Sequence, residues 1–124
     1  MISLTLTGLL LMAQPLDCAN AVTQADMNQC AGRGARDADA ELNRLWPQLV
    51  RQMQASDREA DSNGEGERRL RAAQRAWIAF RDAQCELAGV EALGGSMETM
   101  LVQGCLEEIT RRRINELTVM LGGR

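Results

Sequence analysis

The chain has 124 residues, which is enough for one domain, and a formal net charge of −3. It contains no His, Tyr or Lys, so every basic residue is Arg. The absence of His and Lys removes the commonest general base, the commonest transition-metal ligand and Schiff-base chemistry. The net negative charge disfavours nucleic acid as a partner. We therefore predict no cofactor and no metal site.

An uncharged and mostly apolar run covers residues 2–12. It matches the central region of a signal peptide and is too short to span a bilayer. We therefore predict a signal peptide over residues 1–13 and a single mature domain over residues 14–124, with no transmembrane span. The alternative is that residues 2–12 form a buried helix of the fold. An upstream start would explain why no basic residue precedes the run.

There are two candidate positions for the cleavage site. Cleavage after Ala13 leaves all four cysteines in the mature protein, and we prefer it. The Ala-Asn-Ala sequence at residues 19–21 also has the form of a cleavage signal, but cutting there would remove Cys18 and leave an odd thiol. Residues 16–18 are a poor lipoprotein signal, because Asp17 is neither small nor apolar.

The first predicted helix runs from about Thr23 to Gln54. Thr23 is a typical N-cap residue, and Asp26 follows at the third helical position. Pro47 lacks a backbone N–H and crowds the preceding turn, so it predicts a kink or a break near residues 43–46. The predicted apolar face consists of Met27, Ala31, Ala35, Ala38, Leu42, Leu45, Trp46, Leu49 and Met53.

The polar stretch over residues 55–66 ends in Ser-Asn-Gly-Glu-Gly and is predicted as the main loop. A second helix is then predicted over about residues 67–88. Spacings of three and four residues place one set of its side chains on a common stripe. This stripe consists of Leu70, Gln74, Trp77, Arg81, Cys85 and Ala88.

Two polar side chains share the stripe of the second helix with Trp77. Buried polar groups in proteins are normally hydrogen-bonded. We therefore expect Gln74 and Arg81 to be partly buried and to bond a neighbouring helix, through Asp39 or Asn43. Contact with a ligand is the alternative interpretation of the same residues.

The sequence Gly-Gly-Ser at residues 94–96 predicts a chain break before a third helix. Ser96 is a suitable N-cap, and Glu98 in the first turn is favoured by the helix dipole. The helix continues to about Leu121. Arg113 lies along its apolar face, and we expect it to pair with a carboxylate from another helix. The remainder of that face is Val102, Cys105, Leu106, Ile109, Leu117 and Met120.

Four cysteines in a short exported chain indicate two disulfides, for which three pairings exist. No two cysteines have the C-x-x-C spacing, which argues against zinc. Cys85 lies ten residues before Gly95 and Cys105 ten residues after it, so an antiparallel hairpin brings them to similar height. Cys85–Cys105 is therefore the natural bridge, and Cys18–Cys30 follows by elimination. The predicted fold is all-α: an antiparallel three-helix bundle stapled by two disulfides.

Several segments occur in order at spacings typical of one known family. They are QADMNQCA at residues 24–31, DAELN at 39–43, AQRAWIAFRDAQC at 73–85, GGS at 94–96, and then Cys105, Thr110, Arg113 and Leu117. With Cys18 included, about residues 18–121 resemble the LprI-type lysozyme inhibitor domain. The resemblance implies a secreted, helical, two-disulfide domain of bacterial envelopes, and the name-giving member inhibits lysozyme.

The resemblance implies a periplasmic or secreted protein that binds a peptidoglycan-cleaving lysozyme and inhibits it. Lysozymes are commonly basic, so acidic surface could steer the association. Mere solubility is the alternative role for such surface. The sequence makes no prediction of oligomeric state. The candidate partner-binding residues are Asp57, Glu59, Asp61 and Glu65 in the predicted loop and Gly94, Gly95 and Ser96 in the turn.

Two other classes of function are alternatives to lysozyme inhibition. The first is an envelope interaction module with a different protein partner and no effect on lysozyme. The second is an enzyme, which the sequence disfavours because no His or Lys is present to activate Ser or Cys. Glu107 and Glu108 are adjacent, so on a helix they diverge by about 100° and are poorly placed to share a substrate.

Overall fold

The computed structural model describes residues 15–122, so the predicted signal peptide over residues 1–13 lies outside the described residues. Three helices and no strand occur within residues 15–122, which confirms the all-α prediction. Short 3-10 helices form at Cys18–Asn20, before the first helix, and at Gly89–Ala92, after the second. The helices are α1 (Gln24–Ala60), α2 (Glu65–Ala88) and α3 (Glu98–Gly122).

Consecutive helices run in opposite directions, so α1 and α3 are parallel to each other. Near the start of both helices, the Asn28 side chain donates to the Ser96 carbonyl at 2.8 Å. Near the end of both, Gln52 donates to the Leu121 carbonyl at 3.3 Å. Only residues 61–64 separate α1 from α2, which turns α2 back along the other two helices. This is the predicted three-helix arrangement.

The core lies where the apolar stripes of the three helices meet. Leu49 and Leu117 are almost completely buried, and burying a Leu side chain contributes roughly 1.5–3 kcal/mol. Met120, which was expected on the apolar face of α3, is exposed, whereas Thr110 and Ile114 are buried. The buried apolar cluster consists of Leu42, Leu49, Val50, Leu70, Ile114 and Leu117.

The start of α1 is as predicted, because the Thr23 hydroxyl accepts from the Asp26 backbone N–H at 3.1 Å. The predicted break at Pro47 is wrong, since α1 continues without interruption to Ala60. A kink there stays a prediction. Leu49 and Val50, two and three residues after the proline, are buried. Their packing offsets the hydrogen bond that proline removes.

The prediction of a loop over residues 55–66 is also wrong. Residues 55–60 complete α1. Because α2 begins at Glu65, only a turn of residues 61–64 separates the two helices. Arg, Glu and Ala are good helix formers, so a polar segment of this kind fits an exposed helical face as well as a loop. The α3 helix begins at Glu98, one residue later than predicted from Ser96 as the cap.

Both predicted disulfides are present. The Cα atoms are 5.5 Å apart in Cys18–Cys30 and 5.4 Å apart in Cys85–Cys105, as disulfide geometry requires. The first bridge fastens the segment before α1 to that helix, and the second joins the end of α2 to α3. No helix within residues 15–122 is long and apolar enough to cross a membrane.

Candidate functional site

The polar side chains predicted around Trp77 meet in the middle of the bundle. The Cζ atom of Arg81 lies 5.1 Å from the centre of the Trp77 ring, and that of Arg113 lies 5.8 Å from it. Both distances are within the range of cation–π interactions. Both arginine side chains are mostly buried. We call Asp39, Gln74, Trp77, Arg81, Thr110 and Arg113 the Trp77 cluster.

Arg81 links all three helices. Its Nη1 atom donates to Asp39 Oδ1 on α1 at 3.3 Å and to the buried Thr110 hydroxyl on α3 at 3.5 Å. Its Nε atom donates to Asp82 Oδ1 at 3.0 Å. Asn43, the alternative partner in the sequence prediction, is exposed and lies beside Asp39 in the groove between α1 and α2.

Arg113 has a different set of partners from the one expected. Its Nε atom donates to the Gln74 side-chain oxygen on α2 at 3.0 Å, so the partner from another helix is an amide. The carboxylate it meets, at 3.0 Å, is Glu116 on its own helix. Among the described residues, no buried side-chain polar atom lacks a hydrogen-bond partner. The arginines of the Trp77 cluster are therefore engaged in joining helices.

The described part of the chain contains no group of His, Cys, Asp and Glu side chains arranged to hold a metal ion. The acidic residues that the sequence singled out lie at one end of the bundle, around the turn between α1 and α2. We call residues 55–71 the loop end. The Gly94–Ser96 turn lies at the opposite end, so the structure separates the two sets of candidate partner-binding residues.

Asp57 of the loop end is buried and has a structural role. Its carboxylate accepts from the Ser62 hydroxyl at 2.7 Å and from the backbone N–H groups of Gly66 and Glu67 at 2.8 and 2.9 Å. The Ser62 hydroxyl, followed by the Glu67 backbone N–H, lowers the pKa of Asp57. The residue before α2 is Gly64, which offers no side-chain cap. Asp57 therefore caps α2 from α1.

Glu65 and Glu67 in the first turn of α2 are occupied by arginines. Glu65 contacts Arg68 at 2.8 Å and Arg69 at 2.7 Å, and the hydrogen bond from Arg69 is the main cause of its lowered pKa. Glu67 accepts hydrogen bonds from Gln54 and Arg71. The bond from Gln54 is the largest cause of its lowered pKa, and the bond from Arg71 is the second largest. The remaining two predicted partner-binding acids, Glu59 and Asp61, are exposed and make no ion pair within residues 15–122.

The other end of the bundle, which we call the disulfide end, comprises residues 15–32 and 83–106. It contains both disulfides and the Gly94–Ser96 turn. No Arg occurs in these two segments, and no ion pair forms within them. The charged side chains of these two segments are therefore all acidic. The acids of this end are Asp17, Asp26, Glu86, Glu91 and Glu98.

Comparison with known proteins gives a family whose model spans nearly all of these features. Residues 17–117 match the family described as "Lysozyme inhibitor LprI". The chain belongs to the LprI family. The matched range includes the four cysteines, the Trp77 cluster and both ends of the bundle, so the resemblance found in the sequence is confirmed.

A relative of this LprI-family chain is the uncharacterized protein R02472 of Rhizobium meliloti (strain 1021). The two sequences are 53% identical over 109 residues, which cover 85% of this chain and 78% of that protein. No solved structure matches the chain.

Proposed function

We propose that this LprI-family protein is exported to the periplasm or secreted, and that it binds and inhibits a lysozyme there. The observation that carries the proposal is the match of residues 17–117 to a family of lysozyme inhibitors. The two disulfides fit an oxidising compartment. The proposal includes removal of a signal peptide over residues 1–13.

We propose a binding function without catalysis. The chain has no His or Lys that could act as a base towards a nucleophile. The best-developed polar constellation, the Trp77 cluster, uses Arg81 and Arg113 to bond other helices. A net charge of −3 favours a basic partner, and basic lysozymes are partners of this kind.

The proposal is tested by titrating lysozyme with the oxidised protein and measuring residual muramidase activity. Lysozymes of the c, g and i types are each used, because the family name does not specify a class. The control is the same chain reduced and alkylated, which has the same composition but lacks both bridges. Stoichiometric loss of activity with the oxidised protein alone is expected for at least one class. Full activity in all three classes would contradict the proposal.

A further inference from the structure

An exposed apolar ridge lies at the disulfide end, where α2 passes through a 3-10 helix into the turn before α3. Leu87 is 62% exposed, Val90 54% and Leu93 72%. Leu87 lies in the last turn of α2, Val90 in the 3-10 helix and Leu93 directly after it, so the three exposed side chains fall within seven consecutive residues. Met97, just beyond the turn, is exposed as well. Grouped apolar side chains on a surface are a feature of interaction sites.

Acidic side chains accompany the ridge and have no internal counter-charge. Glu86 and Glu91 are exposed and adjoin Leu87 and Val90 in the chain. Neither forms an ion pair with a residue that the structure describes, and the disulfide end has five acids and no Arg. An apolar centre with a charged rim is the usual composition of a protein–protein interface.

The ridge is held in place by contacts on its buried side. A Cβ atom added to Gly89 would lie 2.7 Å from Val102 Cγ2, so the 3-10 helix packs directly against α3. The Glu98 carboxylate accepts from the Gly94 backbone N–H at 2.9 Å, which fixes the turn. The Cys85–Cys105 bridge lies just before this segment. A surface that is ordered before binding loses less conformational entropy when it binds.

The negative charge of this surface indicates which kind of partner it can bind. A second copy docked through the same surface would place two sets of acids against each other, and an anionic bilayer would repel this surface. A cationic protein surface complements it. We propose that the ridge formed by Leu87, Val90 and Leu93, with its rim of Glu86 and Glu91, is the docking surface for a basic protein. The inference rests on the proposed function, which makes that protein the lysozyme.

The apolar part of the proposal is tested with a matched pair of variants. Leu93→Asp places a charge on the ridge, whereas Val119→Asp places one on α3 outside the disulfide end, where Val119 is 69% exposed. Binding of each full-length oxidised variant to basic c-type lysozyme is measured by calorimetry. We expect Leu93→Asp to raise the Kd by at least about tenfold, as for a central interface residue, and Val119→Asp to leave it within about twofold.

The acidic part is tested by two double variants with the same change in net charge. Glu86→Arg/Glu91→Arg alters the rim, and Glu59→Arg/Asp61→Arg alters exposed acids of the loop end. We expect the first pair to slow association and to weaken its dependence on salt, because rim charges steer encounter. The second pair should have a much smaller effect. Circular dichroism and thermal melts of all variants exclude loss of folding as the cause.

The outcomes separate this inference from the proposed function. If wild type binds lysozyme and the loop-end or α3 variants weaken binding as much as the ridge variants, the surface assignment is overturned and the function stands. If the ridge variants bind as wild type does, the assignment is overturned as well. If wild type neither binds nor inhibits any class of lysozyme, the proposed function fails and the inferred occupant fails with it.

Discussion

The loop end and the disulfide end of the bundle each carry five acidic residues, yet their surfaces differ in electrostatic character. The five acids of the loop end are accompanied by four Arg, and the disulfide end has none. Asp57 caps α2, and Glu65 and Glu67 are paired with arginines. The acids of the disulfide end make no ion pair with the described part of the chain. The number of acids in a segment therefore does not determine whether the folded surface is acidic. What matters is whether those acids are paired with arginines.

The difference also separates stability from binding. At the loop end the carboxylates accept hydrogen bonds that hold the start of α2, so their charge is used within the molecule. At the disulfide end the covalent bridges hold the chain, Glu98 fixes the turn through the Gly94 backbone N–H, and the exposed Glu86 and Glu91 are left to act on a partner. Substitutions at the loop end should therefore mainly change stability. Substitutions of exposed residues at the disulfide end should mainly change binding.

The largest expected effect on stability concerns the covalent bridge of the disulfide end. We expect Cys85→Ser/Cys105→Ser to lower the free energy of unfolding by about 2–4 kcal/mol, measured by urea denaturation of the oxidised protein. Cys18→Ser/Cys30→Ser is the comparison. It should cost less, because Cys18 is exposed and its bridge fastens only a short segment before α1. Equal stability of the first variant and wild type would show that this end does not depend on its bridge.

Two Gly→Ala substitutions, one at each end of the bundle, should change stability in opposite directions. A Cβ atom on Gly66 would lie 2.5 Å from Asp57 Oδ1 and 2.8 Å from Met53 Sδ. Gly66→Ala should therefore cost about 1–3 kcal/mol of stability through overpacking. A Cβ atom on Gly104, in α3, would meet no atom within 4 Å. Gly104→Ala should stabilise by about 0.5–1 kcal/mol, as expected for an exposed helical site.

Chemical denaturation of both glycine variants measures these effects directly. Destabilisation by Gly104→Ala would contradict the open surface assigned to α3 at that position. A neutral Gly66→Ala would contradict the close approach of α2 to the Asp57 carboxylate.

The smallest expected effect is the dependence of stability on pH at the loop end. The folded state holds the pKa of Asp57 below its ordinary value, chiefly through the Ser62 hydroxyl. Its contribution to stability is therefore fully present above the ordinary carboxyl pKa of about 4 and is lost as pH falls through the lowered value. We expect melting temperatures of Asp57→Asn to fall less between neutral and acidic pH than those of wild type.

Ser62→Ala serves as the intermediate case for the pH experiment, because it removes only the largest cause of the lowered pKa. Its melting temperature should depend on pH more than that of Asp57→Asn and less than that of wild type. Parallel curves for all three proteins would contradict the role assigned to Asp57 as the cap of α2.

Features set by local spacing could be predicted from the sequence. The Thr23 cap depends on residues three apart, and the Cys85–Cys105 pairing depends on equal distances from one turn. The turn between α1 and α2 could not be placed, because polar residues are compatible with both a loop and an exposed helical face. Asp57 therefore appeared as a loop acid, although it lies inside α1 and caps the next helix.

The contents of the Trp77 cluster were predictable only in part. Helical periodicity places Gln74, Trp77 and Arg81 on one face of α2. Whether Arg81 meets Thr110, or Arg113 meets Gln74, depends on how α3 is rotated about its axis, which periodicity within one helix does not define. The exposed ridge was missed for a different reason. A run such as Leu87, Val90 and Leu93 suggests burial in a sequence, and only the packed structure leaves it uncovered.

The disulfide end, and not the loop end, is proposed to face the lysozyme. Amide hydrogen exchange of the unmodified oxidised protein, measured with and without saturating lysozyme, compares both ends in one experiment. We expect slower exchange in peptides covering residues 86–98 on binding and unchanged exchange in peptides covering residues 57–69. Protection of residues 57–69 with none at residues 86–98 would contradict the proposal.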